Sequence, residues 1–431
     1  MVSPRVDPLL HPAPLPSRAD VVVIGGGIVG ASTALSLAER GISVALCEKG
    51  HIGGEQSSRN WGWCRKMGRD LAEIPLAIES LRLWEGMNAR TGAETGFRRT
   101  GIVYLSERAR SLAQQEAWLA AARDFEIDSR MIGAAEIDRL LPGSSRHWHG
   151  ALYTSSDGVA EPEKATTAIA NAAAVRGAAI VEQCAVRGIE TAGGSVSGVV
   201  TEQGAIRCNQ VVLAGGAWSS LFCGNLGIRF PQLKILGSVM RTAPFTGPTP
   251  AVGAGNFAFR KRADGGYTIA QRNANLVQIV PDSFRYFADF LPSLVRQWHE
   301  LRLRIGRRLI EEWRIPRRWD LDSVTPFERV RVLDPEPSEP VLRQGLYNLK
   351  RAFPHFAEMK VVEAWGGLMD VTPDAVPVIS AVDALPGFYI SSGFSGHGFG
   401  IGPAAGQLMA DLLTGARPLV DPKPYRLQRL L

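Results

Sequence analysis

Residues 20–50 read DVVVIGGGIVGASTALSLAERGISVALCEKG. The apolar run Val21-Val22-Val23-Ile24 predicts a short buried strand, and Gly25-Gly26-Gly27-Ile28-Val29-Gly30 predicts a tight turn. From Ala31 to Arg40 the apolar spacing is helical. Gly25 permits the turn, Gly27 lets backbone approach a pyrophosphate, and Gly30 lets the helix lie close on the strand, with the helix N-terminus facing the phosphates. A second strand, 42–47, delivers Glu48, 18 residues beyond Gly30, where an acid accepts a hydrogen bond from a ribose hydroxyl. Together these features specify a dinucleotide site. They do not distinguish NAD from FAD.

Composition narrows the class further. A chain of 431 residues exceeds one typical core, so two domains are expected. With 45% apolar and 21% charged residues it reads as a soluble globular enzyme, and no apolar run is long enough to span a membrane. The net charge of +6 is modest and accompanies no nucleic-acid motif, which argues against a nucleic-acid partner. Five cysteines, Cys47, Cys64, Cys184, Cys208 and Cys223, form no C-x-x-C pair, so neither a disulfide framework nor a metal site is indicated and a reducing cytoplasm is expected. The start, MVSPRVDPLLHPAPLPSR, lacks the apolar core of a secretory signal, and its prolines oppose a helix. Residues 1–18 are expected to form a loose tail.

Further along, a polar glycine-containing segment after Glu48 precedes a predicted helix over 71–91, and such a long loop at the nucleotide end suggests binding. Strand pattern at 101–106 and 150–153 brackets a helix over 111–125, and Glu161-Pro162 opens a helix reaching Arg176. Short strands at 178–183, 196–201 and 205–208 lead to Val211-Val212-Leu213-Ala214, which reads as a buried parallel strand ending in Gly215-Gly216-Ala217-Trp218-Ser219. Strands at 234–242, 258–262 and 267–271 give way to helical pattern over 283–313, and the last 70 residues return to glycine-rich turns. The expected division is a nucleotide-binding domain from 19–92, 155–226 and 362–431, and a substrate domain from 93–154 and 227–361.

Four stretches resemble the FAD-dependent amine and amino-acid oxidoreductases of the D-amino-acid oxidase superfamily, near the sarcosine and glycine oxidase branch. In order they are GGGIVG with Glu48, the loop EQSSRNWGW, the strand and turn VVLAGGAWSS, and WGGLMDVTPDAVPVIS followed by SGFSGHGFGIGPAAG. The loop also looks like that of enzymes acting on cyclic imino acids such as pipecolate. The resemblance implies an α/β fold class: a Rossmann-like FAD-binding domain of discontinuous segments plus an α+β substrate domain of sheet and helices. It assigns FAD to Gly25, Gly27, Ile28, Val29 and Gly30, to Glu48 and Lys49, and to Gln56, Ser57, Ser58, Asn60, Trp61 and Gly62 of the loop. Val186, Ala214, Gly215 and Trp218 follow, then Gly393, Gly396, His397, Gly398, Phe399, Gly400 and Ile401. Local turn capping is the plainer reading of Ser57, Ser58 and Asn60, and core packing that of Trp61 and Trp63. His397 reads equally as a donor near the flavin and as a structural histidine. In sarcosine oxidases a cysteine carries the flavin seven residues ahead of an aspartate resembling Asp374. Gly367 stands there, so noncovalent FAD is expected.

The chemistry implied is hydride removal from the carbon bearing the amine, which needs positioning more than a side-chain base. Arg65 is the expected carboxylate anchor, because its planar fork matches both oxygens and an arginine of the corresponding loop binds the carboxylate in sarcosine oxidases. Trp63 and Tyr267 are candidates beside the substrate, with an edge-strand aromatic the plainer reading of Tyr267. Arg260, Arg262 and Arg272 are alternative anchors whose plainer reading is surface. Gly400 replaces the lysine those oxidases use, so room for a substrate bulkier than N-methylglycine is expected. No lysine over the flavin is found, Asn273-Ala274-Asn275 occupying the region, so the electron acceptor is dioxygen or a quinone or carrier. A secondary or cyclic amine is the preferred substrate. A hydroxy acid, or a role as flavin-bearing subunit of a larger dehydrogenase, are the alternatives. In residues 283–319 nine arginines accompany Leu294, Trp298, Leu301 and Ile305 at helical spacing. A helix packed on the substrate domain is favoured there over membrane-surface contact.

Overall fold

The computed structural model describes residues 4–272, 275–297 and 301–431. Six strands form the sheet that carries the glycine turn, in the order Val378–Ala381, Phe388–Ser392, Gln210–Leu213, Val21–Ile24, Val44–Cys47 and Ala179–Val181. All neighbours are parallel except the first pair. Their unbroken apolar runs follow from being covered on both faces. Val21 and Val23 pack on helices Ile28–Ala38, Pro162–Val175 and Gly398–Thr414. Val22 and Ile24 face the layer holding a second small sheet, Val186–Ala192, Ser195–Thr201 and Gly204–Arg207. Strand Val186–Ala192 was not expected from sequence, because register shifts break its alternation.

Backbone meets backbone at the glycines. Gly25 has φ +108°, and a Cβ there would lie 2.5 Å from Ala214 O; a Cβ on Gly30 would overlap Gly25 O. Likewise a Cβ on Gly406 would stand 2.5 Å from Ser32 C, so helices Ile28–Ala38 and Gly398–Thr414 touch at small residues. The N-terminal stretch is not the loose tail expected. Asp7 N–H donates to Glu163 O, Leu10 N–H to Asn171 Oδ1 and Ala13 N–H to Ile180 O, so it lies along the helix Pro162–Val175 and its following strand.

A larger sheet runs Leu301–Arg304, Asn275–Gln278, Leu233–Thr242, Tyr267–Ala270, Ala258–Lys261, Ala251–Gly253, Ile102–Ser106, Gly150–Thr154 and Ser129–Ile132. Strand Val361–Val371 pairs along nearly the whole of Leu233–Thr242, so the chain through 371 belongs to this sheet, past the boundary expected at 361. Helix Glu339–Ala352 and Phe353 and Phe356 cover one face. The single helical pattern expected over 283–313 is four elements: helices Pro281–Arg285 and Phe287–Gln297, strand Leu301–Arg304 and helix Arg307–Trp313 follow one another, with Pro292 inside the second helix. The strand pairs parallel with Asn275–Gln278. Trp298 lies outside the described residues, and Ile305 is exposed, so the expected stripe is not one packed face.

A buried ion pair fastens the two sheets together. Arg260, from the larger sheet, donates to both oxygens of Glu161 at 3.0 and 2.9 Å, and its Nε–H donates to Trp61 O. Glu161 opens helix Pro162–Val175, and both side chains are nearly inaccessible. Burial alone would raise the Glu161 carboxyl, but the Arg260 and Arg262 guanidiniums hold it down at about 2. Arg262 pairs with Glu163 and Asp264. Arg260 and Arg262 are therefore structural and buried, neither surface residues nor substrate anchors. Glu161→Gln should cost about 3–5 kcal/mol by leaving Arg260 unpaired, and Glu161→Gln with Arg260→Met should recover part of it. Denaturant unfolding of both variants checks this; equal stability of the single variant and wild type would refute the hub.

Candidate functional site

A cleft opens along the C-terminal edge of the six-stranded sheet, where parallel α/β sheets bind ligands. Its walls include Gly25, Gly26, Gly27, Ile28, Val29, Glu48, Lys49, Gln56, Ser57 and Asn60 from the first part of the chain. Val186, Ala214, Gly215 and Trp218 follow, then Asp370, Phe394, Gly396, Gly398 and Phe399. Three distant glycine turns thus meet in one cleft. Gly27 precedes helix Ile28–Ala38, and a Cβ there would meet only Ser57 Oγ, at 3.1 Å; its open side faces the cleft. The N-terminus of this helix, opening on the cleft, suits a pyrophosphate.

Glu48, the acid expected at a ribose, lines the cleft and orders the turn. Its Oε2 accepts from Gly26 N–H at 2.7 Å and its Oε1 from Gly50 N–H at 2.7 Å. Burial pushes its carboxyl upward, opposed by Lys49 and those two N–H groups. Lys49 lines the cleft, but its ammonium is held by Glu55 at 2.6 Å and by Val330 O and Arg331 O at 2.9 Å. Ser57 Oγ accepts from Ile28 N–H at 2.9 Å, and Asn60 ties Gln56 O, Ser57 O and Gly62 N–H together. Gln56 Oε1 is buried in the wall without a partner, an acceptor ready for a bound ligand's donor. The donors, glycine backbone and unpartnered amide together fit FAD. Gly367 faces this wall, and a Cβ there would collide with Gln56 Oε1.

Not every expected residue reaches the cleft. Ser58 and Ile401 are buried behind it, Gly30 is packed on Gly25, and Gly62 (φ +73°) makes space for the Arg260 guanidinium. Trp61 and Trp63 pack edge to face at 5.2 Å within a wall that includes Tyr104. Tyr267 is an interior-strand core residue, neither edge aromatic nor pocket lid: it is fully buried and its hydroxyl donates to Pro248 O at 2.9 Å. The room expected at Gly400 is absent, because a Cβ there would stand 2.7 Å from Trp63 O. Gly393 (φ +81°) is set by Asp370, whose buried carboxylate accepts from Gly393 N–H at 2.7 Å and Phe394 N–H at 3.2 Å. Sequence reading passed over Asp370, since a lone acid at a strand end carries no distinguishing spacing.

Beside the turn 393–398 lies a charged cluster built by residues 65–73. His397 Nδ1 is 3.2 Å from Glu73 Oε2, and Glu73 is completely buried. Burial and the Arg69 and Arg65 guanidiniums lower the His397 imidazole, opposed by the Glu73 carboxylate that its Nδ1 faces. Burial would raise Glu73, but His397, Arg69 and Arg65 hold it below the usual range. Arg69 is buried, its NH1 has no partner, and burial lowers its guanidinium to about 10. Neither Arg69 nor Glu73 was singled out from sequence. Arg65 donates to Met67 O and sits 5.5 Å from the Tyr104 ring, while Arg272 lies 3.9 Å over the same ring. Two guanidiniums therefore converge on Tyr104, whose ring is 6.0 Å from Trp63. A lysine also went unnoticed: the half-buried Lys234, 5.6 Å from the Trp218 ring and 3.2 Å from Glu312. Asn273 and Ala274 lie outside the described residues.

Asp157 braces the arginine loop, accepting from Lys66 N–H at 2.9 Å and Met67 N–H at 3.2 Å, and burial lifts its carboxyl to about 6. A carboxyl whose folded value exceeds its unfolded value near 4 binds its proton more tightly when folded. Its contribution is then most favourable below about 4 and declines as pH rises through 6. Asp157→Asn should therefore gain in Tm relative to wild type between pH 4 and 7; a pH-independent difference would contradict it. In the cleft, Gly27→Val should fold normally yet purify without flavin, since its side chain would occupy the phosphate space. Glu48→Ala should weaken FAD by about 1.5–3 kcal/mol, read by flavin titration of apoprotein.

Comparison with known proteins agrees with this geometry. The family model for FAD dependent oxidoreductases (DAO) matches residues 20–412. A glycine oxidase of Pseudomonas aeruginosa is 26% identical over 94% of this chain and 97% of its own length. The sarcosine oxidase subunit beta of Rhizobium meliloti is 26% identical over 97% of this chain and 90% of its own. Among solved structures, L-amino acid deaminase from Proteus myxofaciens, in complex with anthranilate, superposes with a TM-score of 0.94 at 36% identity, covering 99% of this chain and 98% of that one. The chain belongs to the DAO family of FAD-dependent oxidoreductases.

Proposed function

We propose that this enzyme oxidises the Cα–N bond of an amino acid whose carboxylate is held between Arg65 and Arg272. The observation that carries the reading is their convergence on Tyr104, next to the Trp63 strand that backs Gly400. Two forks at one aromatic wall suit a single carboxylate, and the ring shields the pairs from water. Bound FAD supplies the hydride acceptor, and Gly367 in place of a nucleophile supports noncovalent binding. The N–H groups opening helix Gly398–Thr414 favour negative charge on a ligand at that end. Glu73 orients the His397 ring through its contact with Nδ1 and balances Arg69. No side-chain base is needed for a neutral amine; positioning does the work.

The likeness to L-amino acid deaminase from Proteus myxofaciens supports a primary amino acid of L hand, ahead of the secondary or cyclic imino acids favoured by loop resemblance. Dioxygen, or a quinone or carrier, then takes the electrons. Anaerobic flavin bleaching across primary, secondary and cyclic amino acids of both hands separates the substrate classes, and reoxidation by oxygen or by quinone separates the acceptors. Arg65→Ala should weaken the preferred acid by about 2–5 kcal/mol, Arg65→Lys should recover only part, and Arg272→Ala should lose a comparable amount. The decarboxylated amine should be indifferent to all three changes. If every variant treats acid and amine alike, the reading gives way to oxidation of a simple amine.

A further inference from the structure

The stretch 283–319 carries a surface that nothing in the reaction requires. Sixteen large apolar side chains stand exposed among the described residues, and eight belong to this stretch: Phe284, Phe287, Leu291, Val295, Leu303, Ile305, Ile310 and Trp313. The first four follow at intervals of three, four and four residues, one face of the paired helices Pro281–Arg285 and Phe287–Gln297. Val295, Ile305 and Trp313 are 72–75% exposed. Helix Arg307–Trp313 packs on helix Pro281–Arg285, so its own exposed pair, Ile310 and Trp313, joins the same region.

The polar side of the stretch faces the body of the protein. Asp289 bonds Arg229 at 2.6 Å, Glu312 meets Lys234 at 3.2 Å, and Tyr286 OH lies 3.0 Å from Ser220 Oγ. A surface helix ordinarily turns its apolar face inward; this one is anchored by its polar face with the apolar face outward. Nine arginines against four acidic residues give residues 283–319 five of the chain's six net positive charges. Arg302, Arg304 and Arg314 are exposed and free of ion pairs within the described chain.

We infer that this face docks on an anionic lipid bilayer, its aromatic and aliphatic side chains in the interface and its arginines against lipid phosphates. Exposed apolar area ringed by arginine is what interfacial binding requires. A second copy of the chain suits the face less, because pairing it with itself would press five net positive charges against five.

Flotation of the FAD-loaded enzyme with vesicles of phosphatidylcholine, with or without phosphatidylglycerol, tests this. The enzyme should float only with phosphatidylglycerol present and be released by high salt. Replacing Phe287, Val295 and Trp313 together by serine should lower partitioning by about tenfold or more, with flavin content and turnover in solution unchanged. Arg302→Gln, Arg304→Gln and Arg314→Gln together should lower it and flatten the salt dependence. Absence of flotation at low salt, or flotation that neither variant alters, would overturn the inference. So would a wild-type dimer that fails to float and is dispersed by the serine changes, which would assign the face to a second copy.

Discussion

A guanidinium almost sealed from solvent holds the working parts in register. Arg260 reaches from the larger sheet to Glu161 at the head of helix Pro162–Val175 and to the carbonyl of Trp61. Sheet, helix and the loop that lines the cofactor cleft are therefore positioned by one side chain. A buried charge of this kind tolerates no slack, because each of its donors must find an acceptor or carry a desolvation cost of several kcal/mol. The left-handed turn at Gly62 is a consequence: any side chain there would stand 2.8 Å from the guanidinium carbon.

The cleft obeys a different constraint, closeness of backbone. Gly25, Gly30 and Ala214 stack three chain segments without side chains between them, which brings the helix N-terminus against the cleft where phosphates would lie. Asp370 performs the matching task at the other end, gathering two N–H groups of the turn 393–394. That turn then delivers His397 to Glu73. Charge balance there is collective: Arg69, Glu73 and His397 shift one another beside the Arg65 guanidinium, and Asp157 supports the loop from behind.

The stretch 283–319 shows how far pattern alone reaches. Its apolar spacing was legible, but an amphipathic helix has the same spacing whether its apolar face is covered or bare. Only the contacts of Tyr286, Asp289 and Glu312 reveal which side faces the protein. Strand Leu301–Arg304 was hidden in the helical pattern for a related reason: a short alternating run fits either period until a partner strand is present.

By itself the sequence determined the family and its FAD: strand, glycine turn, helix and Glu48 are local, and each step rests on the conformational freedom of glycine or the reach of one acid. Tertiary structure decided which arginines do what. Arg260, Arg262, Arg272 and Arg65 are alike as letters, yet two are consumed by Glu161 and Glu163 while two converge on Tyr104. It decided too that Tyr267 is core, that Trp63 O fills the space beside Gly400, and that Arg69 and Glu73 belong beside His397. A side chain's role depends on partners tens to hundreds of residues away, and spacing along the chain carries no record of them until the sheets pack.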